Sequence, residues 1–157
     1  MDTPLKSRPA HRPVPQQGAR HITAVVGSLT IPGRPDMVSG ARAFITRTLA
    51  ASSTGPRVDS DAATLLTSEL VTNAVMHTRS GAADGTVTVV VVDVPDGVLV
   101  EVIDDGSADT PVVKGDVFAV NGHGLYLVQH LAAQWGYLRD AAGTTVWFHL
   151  VAGPEDR

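Results

Sequence analysis

The chain has no cysteine among its 157 residues. That absence excludes disulfides, cysteine nucleophiles and thiolate zinc sites together, and it fits a reducing compartment. Long apolar runs are missing too. The longest aliphatic run, Val89 to Val92, is far too short to span a bilayer. The first twenty residues lack the apolar stretch of a secretion signal. An excess of positive charge is also absent: the formal net charge is −4, which argues against nonspecific nucleic-acid binding by the folded part. No GxxxxGK[ST] sequence occurs, so a phosphate loop of that kind is excluded, and no internal repeat is found. A soluble, cytoplasmic protein without direct nucleic-acid or membrane contacts is the expectation.

Hydrophobic residues make up 43% and charged residues 18%, ordinary values for a chain that folds as one domain with a real core. The opening MDTPLKSRPAHRPVPQQGAR differs, with four prolines, the basic residues Lys6, Arg8, Arg12 and Arg20, and no apolar period. Residues 1–21 are therefore expected to be a disordered basic tail, residues 22–152 the domain, and 153–157 a short C-terminal tail.

Within the domain, Ile22–Ile31 is β-prone and is stopped by Pro32-Gly33. Met37, Ala41, Phe44, Ile45 and Leu49 fall at helical spacing, which predicts a helix over Pro35–Ala50 with Arg42 and Arg47 off its apolar stripe. A longer helix is predicted from Ser60, a plausible N-cap, to His77. TVTVVVVDV (Thr86–Val94) and VLVEVID (Val98–Asp104), separated by Pro95-Asp96-Gly97, read as a β-hairpin. Asp105–Asn121 has no period and reads as a functional loop or lid. GHGLYLVQHLAAQ from Gly122 reads as a helix with Leu125, Val128, Leu131 and Ala132 inward, and Trp135–Arg139 and Thr144–Val151 as two last strands. The sum is an α/β (α+β) two-layer sandwich: a mostly antiparallel, mixed sheet with helices on one face.

Three constellations bear chemistry. In SELVTNAVMH, Glu69, Asn73 and His77 stand four residues apart and share one helical stripe, beside the core-forming Leu66, Leu70 and Ala74. Each alone reads as a surface residue. Together they place a proton-accepting carboxylate one turn from an amide oxygen, a hard ligand suited to magnesium. Asp104-Asp105-Gly106 reads equally as a turn or as a fixed acceptor for an exocyclic amine, with a glycine that lets a flat ring approach the backbone. NGHGL (Asn121–Leu125) places two glycines at a helix entrance, where amides and dipole favour an anion.

Their order resembles the Bergerat ATP-binding fold shared by DNA gyrase, the ninety-kilodalton heat-shock chaperone, MutL and histidine kinases. E-x-x-x-N on a helix, a strand ending in D-x-G, a lid-like loop, G-x-G-L opening a helix, and GTT leading a last strand follow one another over about Ile22–Val151. SELVTNAVMH and GTTVWFHL most resemble anti-sigma-factor serine kinases of the sporulation and general-stress type, of which actinobacteria carry many. The resemblance implies ATP and Mg2+ as ligands. It assigns Asn73 to the metal and through it to the phosphates, Glu69 to the general base, and His77 to the phosphate neighbourhood. It assigns Asp104 to the adenine amine, Gly106 to the space beneath the ring, Gly122, Gly124 and Leu125 to the phosphate-side loop and helix start, and Thr144 to the surroundings of Asp104. Ala108 stands where the family has a second glycine, His123 separates the two glycines of the loop, and Lys114 is the lid's one basic residue where the family kinases are expected to use an arginine.

The implied function is a regulatory serine kinase that binds a sigma factor and phosphorylates a serine on a STAS-type anti-sigma-factor antagonist. It implies a homodimer, with Pro35–Ala50 and its Arg42 and Arg47 near the contacts. The alternative is an ATP-binding module that sequesters a partner without phosphotransfer. A histidine-kinase catalytic half acting in trans would need a phosphoacceptor helix and a dimerisation hairpin for which the chain has no room.

Overall fold

Valines alternating with polar residues, and an aspartate-capped helix between them, set the frame of the molecule. A computed structural model describes residues 23–107 and 124–155. Segment 1–21, Gly122 and the expected loop beyond residue 107, with Ala108, Lys114 and His123, lie outside the described residues. The elements are β1 (Ala24–Pro32), α1 (Val38–Ala51), α2 (Ser60–His77), β2 (Thr86–Val94), β3 (Gly97–Asp104), α3 (Gly124–Leu131), β4 (Gln134–Arg139) and β5 (Thr144–Val151). Short 3-10 turns at Pro35–Met37, Gly55–Arg57 and Arg79–Gly81 join them.

The five described strands form one sheet in the order β1-β2-β3-β5-β4, antiparallel at every pairing. β5 inserts between β3 and β4, so the chain can cross over through α3 without creating a parallel neighbour pair. Val87, Val89 and Val91 of β2 and Val98, Val100 and Val102 of β3 point to one face and share a core with Ala41, Phe44 and Ile45 of α1, Leu66 and Val71 of α2, and Val128 of α3. The result is the expected two-layer sandwich. Among the described residues, no helix is long and apolar enough to cross a membrane.

Two local expectations are corrected. The N-cap of α2 is Asp59 rather than Ser60, because its Oδ1 accepts from the Ala62 N–H at 3.0 Å. Leu131 is exposed rather than inward, because α3 ends there and Gln134 already belongs to β4. At the far end of α1, Asp93 of β2 gathers the chain: it accepts from Ser52 Oγ, from Ser53 N–H at 3.1 Å and from Thr54 Oγ1 at 3.2 Å. Burial alone would raise the Asp93 pKa, yet these hydrogen bonds together hold it below its ordinary value.

Candidate nucleotide site

The last turn of α2 and the end of β3 are locked to each other. Thr78 Oγ1 donates to the Ala74 carbonyl at 2.6 Å and accepts from the Ser80 N–H at 3.0 Å, which closes the helix. From there the Arg79 N–H donates to the Gly106 carbonyl at 2.6 Å. The Asp105 N–H donates to Ser80 Oγ at 2.8 Å, and Asp105 Oδ2 accepts from the Thr86 N–H at 2.8 Å. Ser80 is fully buried in this joint.

Asp104 is the last residue of β3 and pairs directly with Thr144, the first of β5. Its carboxylate is buried at 8% exposure, and Oδ1 accepts both the Gly106 N–H at 2.6 Å and the Thr144 N–H at 3.2 Å. Both bonds fall on one oxygen, so the pair does not use Oδ2. Burial raises the Asp104 pKa above the ordinary 3.8 and outweighs the two backbone donors and the nearby Arg139 guanidinium, while Asp105 adds to the rise. Gly106 has φ 80°, in the region that glycine adopts readily. Gly143 passes so close that a Cβ there would stand 1.9 Å from the Asp104 carbonyl oxygen. Thr144 is itself buried, and its Oγ1 accepts from Arg139 Nε at 3.4 Å.

On α2, Glu69 and Asn73 are half-buried and His77 is exposed, so the stripe emerges from the core toward the helix end. Successive members stand about 6 Å apart along the axis. Asn73 is six residues before Arg79, whose N–H holds Gly106, so the stripe runs up to the joint with the Asp104 turn. Gly124 and Leu125 are the first residues of α3, a helix that packs against α2.

The structure therefore joins Asp104, Gly106 and Thr144 by hydrogen bonds and ties them to the end of the helix that carries Glu69, Asn73 and His77. It places Gly124 and Leu125 at the head of the neighbouring helix. Sequence reasoning did not single out Arg79, Ser80, Asp105 or Arg139. The doubled aspartate and the Thr78-x-Ser80 pair just past the helix were the available signals. A separate groove of about 620 Å³, lined by Gly33, Arg34, Ala82 and Asp84 among others, contains none of the nine residues.

This donor set fits a purine nucleotide. A buried carboxylate is a directional acceptor for an exocyclic amine, and a bare Gly106 beside it leaves room for a ring. It fits Mg2+ only in company with phosphates. Among the described residues no three His, Asp or Glu side chains gather into a metal cage, so Asn73 would supplement phosphate oxygens and water.

Comparison with known families agrees. The profile of the family described as Histidine kinase-like ATPase domain matches residues 31–150, from the end of β1 to the last turn of the sheet in β5. The chain therefore belongs to the histidine kinase-like ATPase domain family, and ATP is the ligand class that this family carries. No curated protein matches the chain.

Proposed function

We propose that the protein is an ATP-binding regulatory serine kinase of the anti-sigma-factor type, acting in the cytoplasm as a homodimer. One observation carries the proposal: the buried Asp104–Gly106–Thr144 unit is hydrogen-bonded to the end of the helix bearing Glu69, Asn73 and His77. Asp104 accepts the adenine amine, Gly106 admits the ring, and Thr144 packs beside them. Asn73 holds Mg2+ together with the phosphates, His77 stands near them at the helix end, and Gly122, Gly124 and Leu125 frame the phosphate side.

When bound, MgATP supplies a γ-phosphoryl group whose acceptor is a serine hydroxyl on a STAS-type antagonist. Glu69, half-buried one turn from Asn73, takes the hydroxyl proton as the serine oxygen bonds to phosphorus and the bond to the β-phosphate oxygen breaks. Orientation by Asn73 and Asp104 provides the rest of the rate, since phosphoryl transfer is mainly positioning and charge stabilisation. The sigma factor and the antagonist meet the α1 side, where Arg42 and Arg47 are exposed.

The test is incubation with ATP, Mg2+ and candidate antagonists, followed by detection of phosphoserine. Transfer that disappears in Glu69→Ala, with ATP affinity kept, supports the kinase. Nucleotide binding without transfer to any antagonist supports a sequestering module instead.

A further inference from the structure

The sheet has a second apolar cluster on the face turned away from the helices. Register puts Val90, Val92, Leu99, Glu101 and Trp147 on that face, since Val92 pairs with Leu99, Val90 with Glu101, and Glu101 with Trp147. Val92, Val94, Leu99 and Trp147 cluster there, and the cluster contains only strand residues. A sheet face open to water leaves such side chains well exposed. Here Val92 is 4%, Leu99 2%, Trp147 5% and Glu101 8% exposed, values of the helix-side core. The described helices all contribute to the other cluster, so none of them is the cover.

The indole adds an independent sign. Trp147 lies over Gly136 of β4, where an added Cβ would stand 2.9 Å from Nε1. Its Nε1 is buried with no hydrogen-bond partner among the described residues. A buried donor without an acceptor is costly, so a chain carrying carbonyls is the expected neighbour.

We propose that the N-terminal segment, residues 1–22, is that cover: a proline-rich intrachain strap laid across the outer face over Trp147. Three features select it. The segment joins the described chain next to Ala24, which pairs with Asp93, so it leaves the sheet beside Val92 and Val94. Crossing from β2 to β5 takes about 10 Å, and twenty-two residues in extended polyproline form reach about 70 Å. Its prolines at 4, 9, 13 and 15 suit an aromatic floor with a free N–H, because polyproline segments keep their carbonyls available and dock on tryptophan-lined grooves. Its Lys6, Arg8, Arg12 and Arg20 complement Glu101 and Asp96 on that side.

The lack of native cysteine gives a clean test in the full chain. Single cysteines at Leu5, Pro9 or Val14 are combined in turn with Val90→Cys on the outer face, and with Arg47→Cys on exposed α1 as the control. Mild oxidation at low protein concentration is followed by mass and by non-reducing electrophoresis. The strap predicts an intrachain disulfide with Val90→Cys in at least one pairing, formed at least ~10-fold faster than with Arg47→Cys because docking raises the effective concentration. Equal rates to both positions overturn it. A covalent dimer in place of the intrachain bond also overturns it and makes the face an interface between copies. Retained near-native ATP affinity and circular dichroism verify that each variant is folded.

Discussion

Replacing Asp104 with Asn separates adenine recognition from folding. The amide oxygen of Asn keeps an acceptor for the Gly106 and Thr144 N–H groups, now at 2.6 and 3.2 Å. The ionised carboxylate is disfavoured by burial, so removing its charge leaves stability unchanged or slightly higher at neutral pH. Binding behaves differently. The second carboxylate oxygen becomes an NH2 donor that faces the donor amine of adenine. Loss of a charge-assisted hydrogen bond is worth about 1.5–3 kcal/mol, and the donor left facing a donor adds about 1–2 kcal/mol. The sum, roughly 2.5–5 kcal/mol, weakens the nucleotide about 10²- to 10³-fold or more. Asp104→Ala instead strips both backbone donors of their acceptor and lowers stability by about 2–4 kcal/mol. Calorimetric titration with a non-hydrolysable ATP analogue measures the first effect and urea unfolding the second. An Asp104→Asn variant that binds within about threefold of native, against the tenfold expected for each 1.4 kcal/mol, refutes the assigned role.

Further outcomes follow from the same geometry. ATP binding needs Asp104 ionised, and its folded pKa is raised, so affinity falls on acidification at a higher pH than an ordinary carboxylate near 3.8 would give, and Asp104→Asn removes that pH dependence. Asp93 has the opposite sign: its folded pKa is depressed, so its stabilisation is present above the unfolded value of 3.8 and is lost as pH falls through the folded value. Asp93→Ala lowers stability by about 1–3 kcal/mol at pH 7, discounted for a carboxylate partly open to water, and flattens the acid limb of unfolding midpoints.

Much of the fold was legible because local signals and tertiary burial coincide. Thr86–Val94 and Thr144–Val151 were predicted to the residue, since β-branched runs bounded by glycine or turn residues leave no other element. α2 ended at His77 as predicted, but its cap was misplaced by one because Asp59 and Ser60 are both capping types and only geometry shows which reaches Ala62. The helix predicted over Pro35–Ala50 opens instead as a 3-10 turn, because Pro35 fixes a start that settles into α geometry only at Val38. The site was legible as motifs in order. The parts that hold it, Arg79, Ser80, Asp105 and Arg139, were not, because they act through backbone amides that meet only when the ends of α2, β3 and β5 converge. The valines of β2 are apolar toward both faces, which already signals two-sided burial. An architecture with helices on one face left the outer valines without a cover.

Titration of the native chain and of Asn73→Ala with the ATP analogue, each with and without Mg2+, tests the central claim most directly. The account predicts binding that Mg2+ strengthens in the native chain, and an affinity in the variant that is lower and nearly indifferent to the metal. Absence of nucleotide binding in the native chain, or a magnesium response that survives loss of the Asn73 amide, would contradict it.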